Sequence, residues 1–174
     1  LFVTTNLKFL SKPKIFHKDN CLYFFSTNDM LITIENSNLY HLSKPANIID
    51  YYVFDNNIYF LIENQNFKVY YTESTQLYNI PSNLNNSYSL DLNPEDGKVL
   101  KLVSINEKLY VFQQYKISKI NKKQDNCYIL DVLNLNSKVK QDTICSLNEN
   151  IVFCSEYNIF VFDGNDIHEI FNNI

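Results

Sequence analysis

A short pattern recurs four times along this chain of 174 residues. An Asp or Asn is followed, after two residues, by an apolar run rich in aromatics. The runs are Leu22-Tyr23-Phe24-Phe25, Ile58-Tyr59-Phe60-Leu61, Leu109-Tyr110-Val111-Phe112 and Ile151-Val152-Phe153-Cys154, preceded by Asp19, Asp55, Asn106 and Asn148. Their starts at 22, 58, 109 and 151 lie 36, 51 and 42 residues apart. Repetition at roughly 40–45 residues with several strands per unit is the sequence pattern of a β-propeller.

Each unit divides further into strand-like segments. Before the run stand Ile15-Phe16, residues 48–54, 99–105 and 143–147. Tight turns follow at Asp19-Asn20, Asp55-Asn56-Asn57, Asn106-Glu107-Lys108 and Asn148-Glu149-Asn150; Asn and Asp between apolar runs are strong hairpin signals. A third strand is expected over 31–34, 67–71, 117–120 and 159–162, and a fourth over 39–42, 77–80, 128–133 and 167–171. Four antiparallel strands make one propeller blade. The expected fold is therefore all-β: a β-propeller or propeller fragment of about four four-stranded blades, as a single domain 1–174 that is possibly part of a longer chain. The units span approximately 11–44, 45–80, 99–135 and 140–174.

The core runs are apolar at consecutive positions. In a strand, neighbouring side chains point to opposite faces, so such a run needs cover on both. Blades stacked face to face provide it. Composition agrees: 13 Tyr and 13 Phe favour strands, and a single alanine, Ala46, suits a helical bundle poorly. The segment 81–98, with Pro81, Pro94, Gly97 and many Ser and Asn, reads as an inserted loop, the least stable part of the domain and a contact surface.

Chemistry is harder to find. The net charge of −4 lacks the basic excess of a general nucleic-acid binder. No apolar stretch approaches the roughly 18 residues of a membrane span. Two glycines cannot build a phosphate loop, and no G-x-S-x-G is present. Cys21, Cys127, Cys145 and Cys154 lack CxxC spacing, and His17, His41 and His168 are scattered, so no zinc site is assigned and the cysteines are expected as free thiols. With Glu149-Asn150 as the turn, Cys145 and Cys154 stand opposite each other. Glu95-Asp96 and Asp163-Gly164 read as turns. Lys116, Lys119, Lys122 and Lys123, near Tyr115 and Tyr128, form one basic cluster, either a phosphate-tracking patch or, preferably, solvated strand ends. No catalytic residue, cofactor or metal ligand is assigned.

Residues 99–120 and 143–174 resemble the propeller-like domains of tailed-phage tail-nozzle and DNA-stabilisation proteins. That family commonly pairs an "LYVF…I..I" unit with one reading roughly "I.F.S..GIY.FDG…I". The residues carrying the second pattern are Ile151-Val152-Phe153-Cys154-Ser155 and Asn158-Ile159-Phe160-Val161-Phe162-Asp163-Gly164, with Asn158 where the family often has Gly. The resemblance implies a non-catalytic virion protein of a tail or neck ring. Its partners would be proteins, in a homo-oligomeric ring or larger assembly, with transient DNA contact in a tail channel. The alternative is a degenerate WD-like propeller acting as a cytoplasmic or nuclear scaffold. A propeller glycosidase or lyase would need acidic or metal-binding residues near the axis, and none is singled out.

Overall fold

A computed structural model describes residues 14–18, 21–25, 30–35, 38–43, 48–55, 57–72, 88–123, 126–156 and 158–170, the backbone alone before 48. Among them the strands form four four-stranded antiparallel sheets, each a meander whose spatial order is its chain order. The first holds β1 (Lys14–Lys18), β2 (Cys21–Phe25), β3 (Met30–Glu35) and β4 (Asn38–Ser43). The second holds β5 (Ile48–Phe54), β6 (Asn57–Ile62), β7 (Lys68–Thr72) and β8 (Tyr88–Asp91). The third holds β9 (Val99–Ile105), β10 (Lys108–Gln113), β11 (Lys116–Lys123) and β12 (Asn126–Asn134). The fourth holds β13 (Cys145–Leu147), β14 (Asn150–Cys154), β15 (Ile159–Phe162) and β16 (Ile167–Glu169). The chain is all-β, a propeller fragment of four blades.

The recurring Asp or Asn has a backbone role. Asp55, Asn106 and Asn148 adopt φ of 44°, 47° and 54°. Each is the first residue of a two-residue hairpin turn, because Phe54 pairs with Asn57, Ile105 with Lys108 and Leu147 with Asn150. Asn and Asp tolerate this left-handed conformation better than other non-glycine residues. Glu107 also has positive φ, 55°, so Asn106-Glu107 forms the primed turn whose twist suits a hairpin.

The blades stack so that β9 packs against β5 and β6 on one side and β13 and β14 on the other, while β8 meets β12. Two apolar cores result. One joins Tyr59 and Leu61 of β6 to Leu109 and Val111 of β10. The other joins Tyr110 and Phe112 of β10 to Ile151 and Phe153 of β14. Thus the second and fourth residues of a core run face forward, toward the next blade, and the first and third face back. Strand alternation alone produces this division. Burial reflects it: all six residues of β6 are buried, whereas β14 alternates between half-buried and buried.

Two expectations are corrected. The segment 81–98 is not one inserted loop: Tyr88–Asp91 is the outer strand of the second blade, paired residue by residue with Lys68–Tyr71. Leu90 and Leu92 are buried, and the Leu92 N–H donates to Phe67 O at 2.9 Å. These apolar anchors and backbone bonds make 88–92 sheet, so its amides are expected to exchange slowly. The strand anticipated at 77–80 lies outside the described residues. The second correction concerns Cys145, which pairs with Val152 rather than Cys154, because the turn is Asn148-Glu149. Cys154 instead donates its N–H to Thr143 Oγ1 at 2.9 Å.

Candidate interaction surface

The seams between blades carry polar ties as well as apolar contacts. Asp50, buried in β5, accepts the Leu102 N–H on Oδ2 at 3.0 Å. Tyr52 OH lies 2.8 Å from Ser104 Oγ. At the next seam Lys101 Nζ donates to Ile144 O, and Gln141 Nε2 donates to Leu100 O at 2.9 Å. Buried polar atoms unpaired with water must find partners in the protein, and here the neighbouring blade supplies them.

At the two seams whose side chains are described, the second residue of the core run crosses to the next blade. The Tyr59 hydroxyl lies 3.2 Å from Cys127 Sγ in the third blade. The Tyr110 hydroxyl donates to Gly164 O in the fourth at 3.0 Å. Gly164 has φ +104°, a conformation that favours glycine, and a Cβ there would stand a tight 3.0 Å from that hydroxyl. Asp163 holds the same turn by accepting the N–H groups of Asn165 and Asp166 at 2.8 and 2.9 Å. Those bonds lower its pKa. Tyr110→Phe is expected to cost about 1–2 kcal/mol, since a buried carbonyl loses its donor while the ring packing stays. Comparing urea midpoints of the two proteins measures it; no change would mean that the hydroxyl ties nothing.

Burial raises the pKa of Tyr51, Tyr59 and Tyr110 above the ordinary phenol value. Lys116 is also raised, chiefly by its hydrogen bond to Asp96. The stability tied to these raised groups is fully present below about pH 10 and is lost as pH climbs beyond it. Alkaline unfolding is therefore expected to accompany ionisation of the buried phenols. Absorbance titration of the 13 tyrosines should show an exposed set ionising first and a second set ionising with loss of the β-sheet circular dichroism.

The basic cluster does not act as one patch. Lys116 Nζ sits 2.7 Å from Asp96 Oδ2 and 3.0 Å from Asp131 Oδ2. It lies at the start of β11, while Lys122 and Lys123 lie at its far end. Lys119 and Lys122 line a groove of about 410 Å³ together with Asp55 and Glu107, so cations and carboxylates alternate there. Asp96 belongs to a 3-10 turn, Pro94–Asp96, capped by the Asn93 side chain. Gln113 Nε2 fixes this link by donating to Asn93 O and Gly97 O at 2.9 and 2.8 Å. A second groove, about 500 Å³, runs beside Phe153 and Phe160 with Asn158 and Glu169 at its wall. Among the described residues no three His, Cys, Asp or Glu side chains come together. No described helix is long and apolar enough to cross a membrane.

What remains is the forward face of the fourth blade. Register aligns Cys145, Val152, Val161 and His168 in one row. Beside the row lie Leu147, Cys154 and Ile159. Leu147 is 59% exposed, Cys145 is exposed, and Val152, Cys154, Ile159 and Val161 are half-buried. Cys127, Cys145 and Cys154 are free thiols. Sequence reading missed the cross-blade tyrosines, though a signal existed: the second core-run residue is Tyr23, Tyr59 and Tyr110 in three units and Val152 in the fourth.

No family model and no curated protein matches the sequence. Among solved structures the chain is similar to one from the S. cerevisiae assembly of Dbp5 with Nup159, Gle1, IP6 and ADP, at 9% identity and a TM-score of 0.47. It is also similar to the N-terminal domain of Nup159, at 10% identity and a TM-score of 0.44. Each likeness covers 88% of this chain and 50% of the other, so the chain spans about half the length of those proteins. The fold assignment rests on the four sheets themselves.

Proposed function

We propose that this chain is a non-catalytic β-propeller scaffold that makes protein–protein contacts within a cellular assembly, cytoplasmic or nuclear. The observation that carries this reading is the forward face of β13–β16. It exposes Leu147 and Cys145 beside half-buried Val152 and Val161 on a sheet whose other face packs on the third blade. An apolar sheet face of this kind marks an interaction site. Three of the polar groups are engaged in structure: Lys116 in ion pairs, Asp163 in a turn, Asp50 across a seam. The test compares proteins retained from source cells by the wild-type chain and by a Leu147→Arg variant. A partner lost with the variant supports the reading, and turnover of a glycan by the isolated chain would overturn it.

A second reading is supported by the phage-like residues 151–155 and 158–164, which form the β14–β15 hairpin. There the scaffold is part of a virion tail or neck ring. Imaging the native particle distinguishes the two.

A further inference from the structure

We infer that the cleft between the third and fourth blades takes a short extended segment of a partner protein, with a large apolar side chain seated beside a Lys or Arg. The inference rests on the scaffold reading and names what a partner presents. The cleft holds about 500 Å³, within the roughly 300–1,000 Å³ of small-ligand sites. Its lining comes from residues 133–137 on one side and from residues between 153 and 169 on the other. Hydrogen bonds fix both rims. The Leu135 N–H donates to Tyr115 O at 2.8 Å and the Val139 N–H to Gln114 O at 2.9 Å, which pins the bend between them. Opposite, the Ser155 N–H donates to Asn158 O at 2.9 Å, and the Asn158 N–H donates to Ser155 Oγ at 3.3 Å. Walls held in this way lower the ordering cost of binding.

Three features of the lining select the occupant. The first is an apolar slot. Register places Phe153, Phe160 and Glu169 in one row across β14, β15 and β16. Phe153 is buried and lies deepest, and Phe160 stacks on it while itself half-buried. Leu133, Leu135 and Ile167 are half-buried around them. One large apolar side chain fills such a slot. The second feature is charge. Among the described residues Glu169 is the one charged side chain on the lining, and it stands directly beside Phe160 in the register. A cation placed there meets a carboxylate and an aromatic ring together. The third is amide and hydroxyl chemistry. Asn134, Asn136, Ser137 and Asn158 carry both donors and acceptors. A peptide backbone presents the same two kinds of group. Nucleic acid fits worse, because its phosphates call for cations and no described Lys lines the cleft.

Selection from a displayed library of random linear heptapeptides, on the immobilised chain, tests the proposal. Peptides with an aromatic residue or Leu close to a Lys or Arg are expected to be enriched. One enriched peptide, end-blocked and fluorescently labelled, is expected to bind Glu169→Lys roughly tenfold more weakly by anisotropy, with the circular dichroism unchanged. Selection on Glu169→Lys should then favour Asp or Glu in place of the basic residue. No enrichment on the wild-type chain, enrichment without a basic residue, or equal binding to a folded Glu169→Lys overturns the proposal. Amide shifts on adding the peptide to the wild-type chain give its place, whether or not the variant folds. Shifts at 135–137 and 158–169 support the cleft, and shifts confined elsewhere overturn it. Tighter binding of an oligouridylate at those same residues overturns it in favour of bases stacking on Phe160. Leu147→Arg, on the other face of the fourth blade, should bind the peptide as the wild type does. A failed selection, with a cellular partner still lost in Leu147→Arg, removes the cleft and keeps the scaffold reading. Peptide binding with no partner lost in Leu147→Arg keeps the cleft and removes the forward face as the contact.

Discussion

Phe153→Ala is expected to destabilise the protein by about 3–5 kcal/mol. Phe153 is 1% exposed and sits at the centre of the seam between the third and fourth blades. Its ring meets Phe112 edge to face at 5.4 Å and stacks on Phe160 at 5.4 Å. Phe112 in turn lies 6.5 Å from Phe162, which meets the Tyr110 ring at 5.1 Å. Aromatic pairs in these geometries add to area burial, so truncation loses contacts on several sides and leaves a void that a stiff sheet stack fills poorly. Thermal unfolding should shift down on the order of 10 °C. A shift within 2 °C of wild type, about 1 kcal/mol or less by the same scaling, would show that the fourth blade does not depend on this seam.

Phe60→Ala should cost a similar amount, about 3–5 kcal/mol. Phe60 is 0% exposed and points to the opposite face of its blade from Tyr59 and Leu61, with its ring 5.7 Å from Tyr70. The two phenylalanines share no aromatic partner among the described residues and lie on the backward faces of different blades. Substitutions at such sites add to within about 0.5 kcal/mol. Denaturant titration of the double variant should therefore show nearly the sum, if enough stability remains to measure it. A marked shortfall would mean that one phenylalanine already unfolds the region containing the other.

Much of the fold was legible because its signals are local. Asp55, Asn106 and Asn148 announced hairpins, and each sits at the first turn position with positive φ. The core runs announced central strands buried on two faces, as Ile58-Tyr59-Phe60-Leu61 shows. The fourth strand of the second blade was not legible. Tyr88-Ser89-Leu90-Asp91 contains one buried residue and sits among Pro, Ser and Asn, so its turn formers outweighed its single inward Leu90. The cysteine register was missed by placing the turn one residue late, although Asn106-Glu107 offers the template for Asn148-Glu149. The Asp50–Leu102 and Gln141–Leu100 ties join residues 52 and 41 positions apart. No spacing rule reaches that far, because such pairs are set by which blades stack. The candidate surface was legible only in part. The apolar run at 151–154 was visible, but which of its faces lacks a neighbour is a property of the stack.

Because each described blade leans only on the blades beside it, the molecule behaves as a row of coupled springs rather than a single block. In such arrays stability is roughly a sum of unit and nearest-neighbour terms. Among the described residues the fourth blade is held through one face, against the third. Its opening would strip partners from Tyr110 and Phe112 and pass the loosened edge inward, one blade at a time. Heat or denaturant should therefore loosen β13–β16 before β9–β12, which is clasped on both faces.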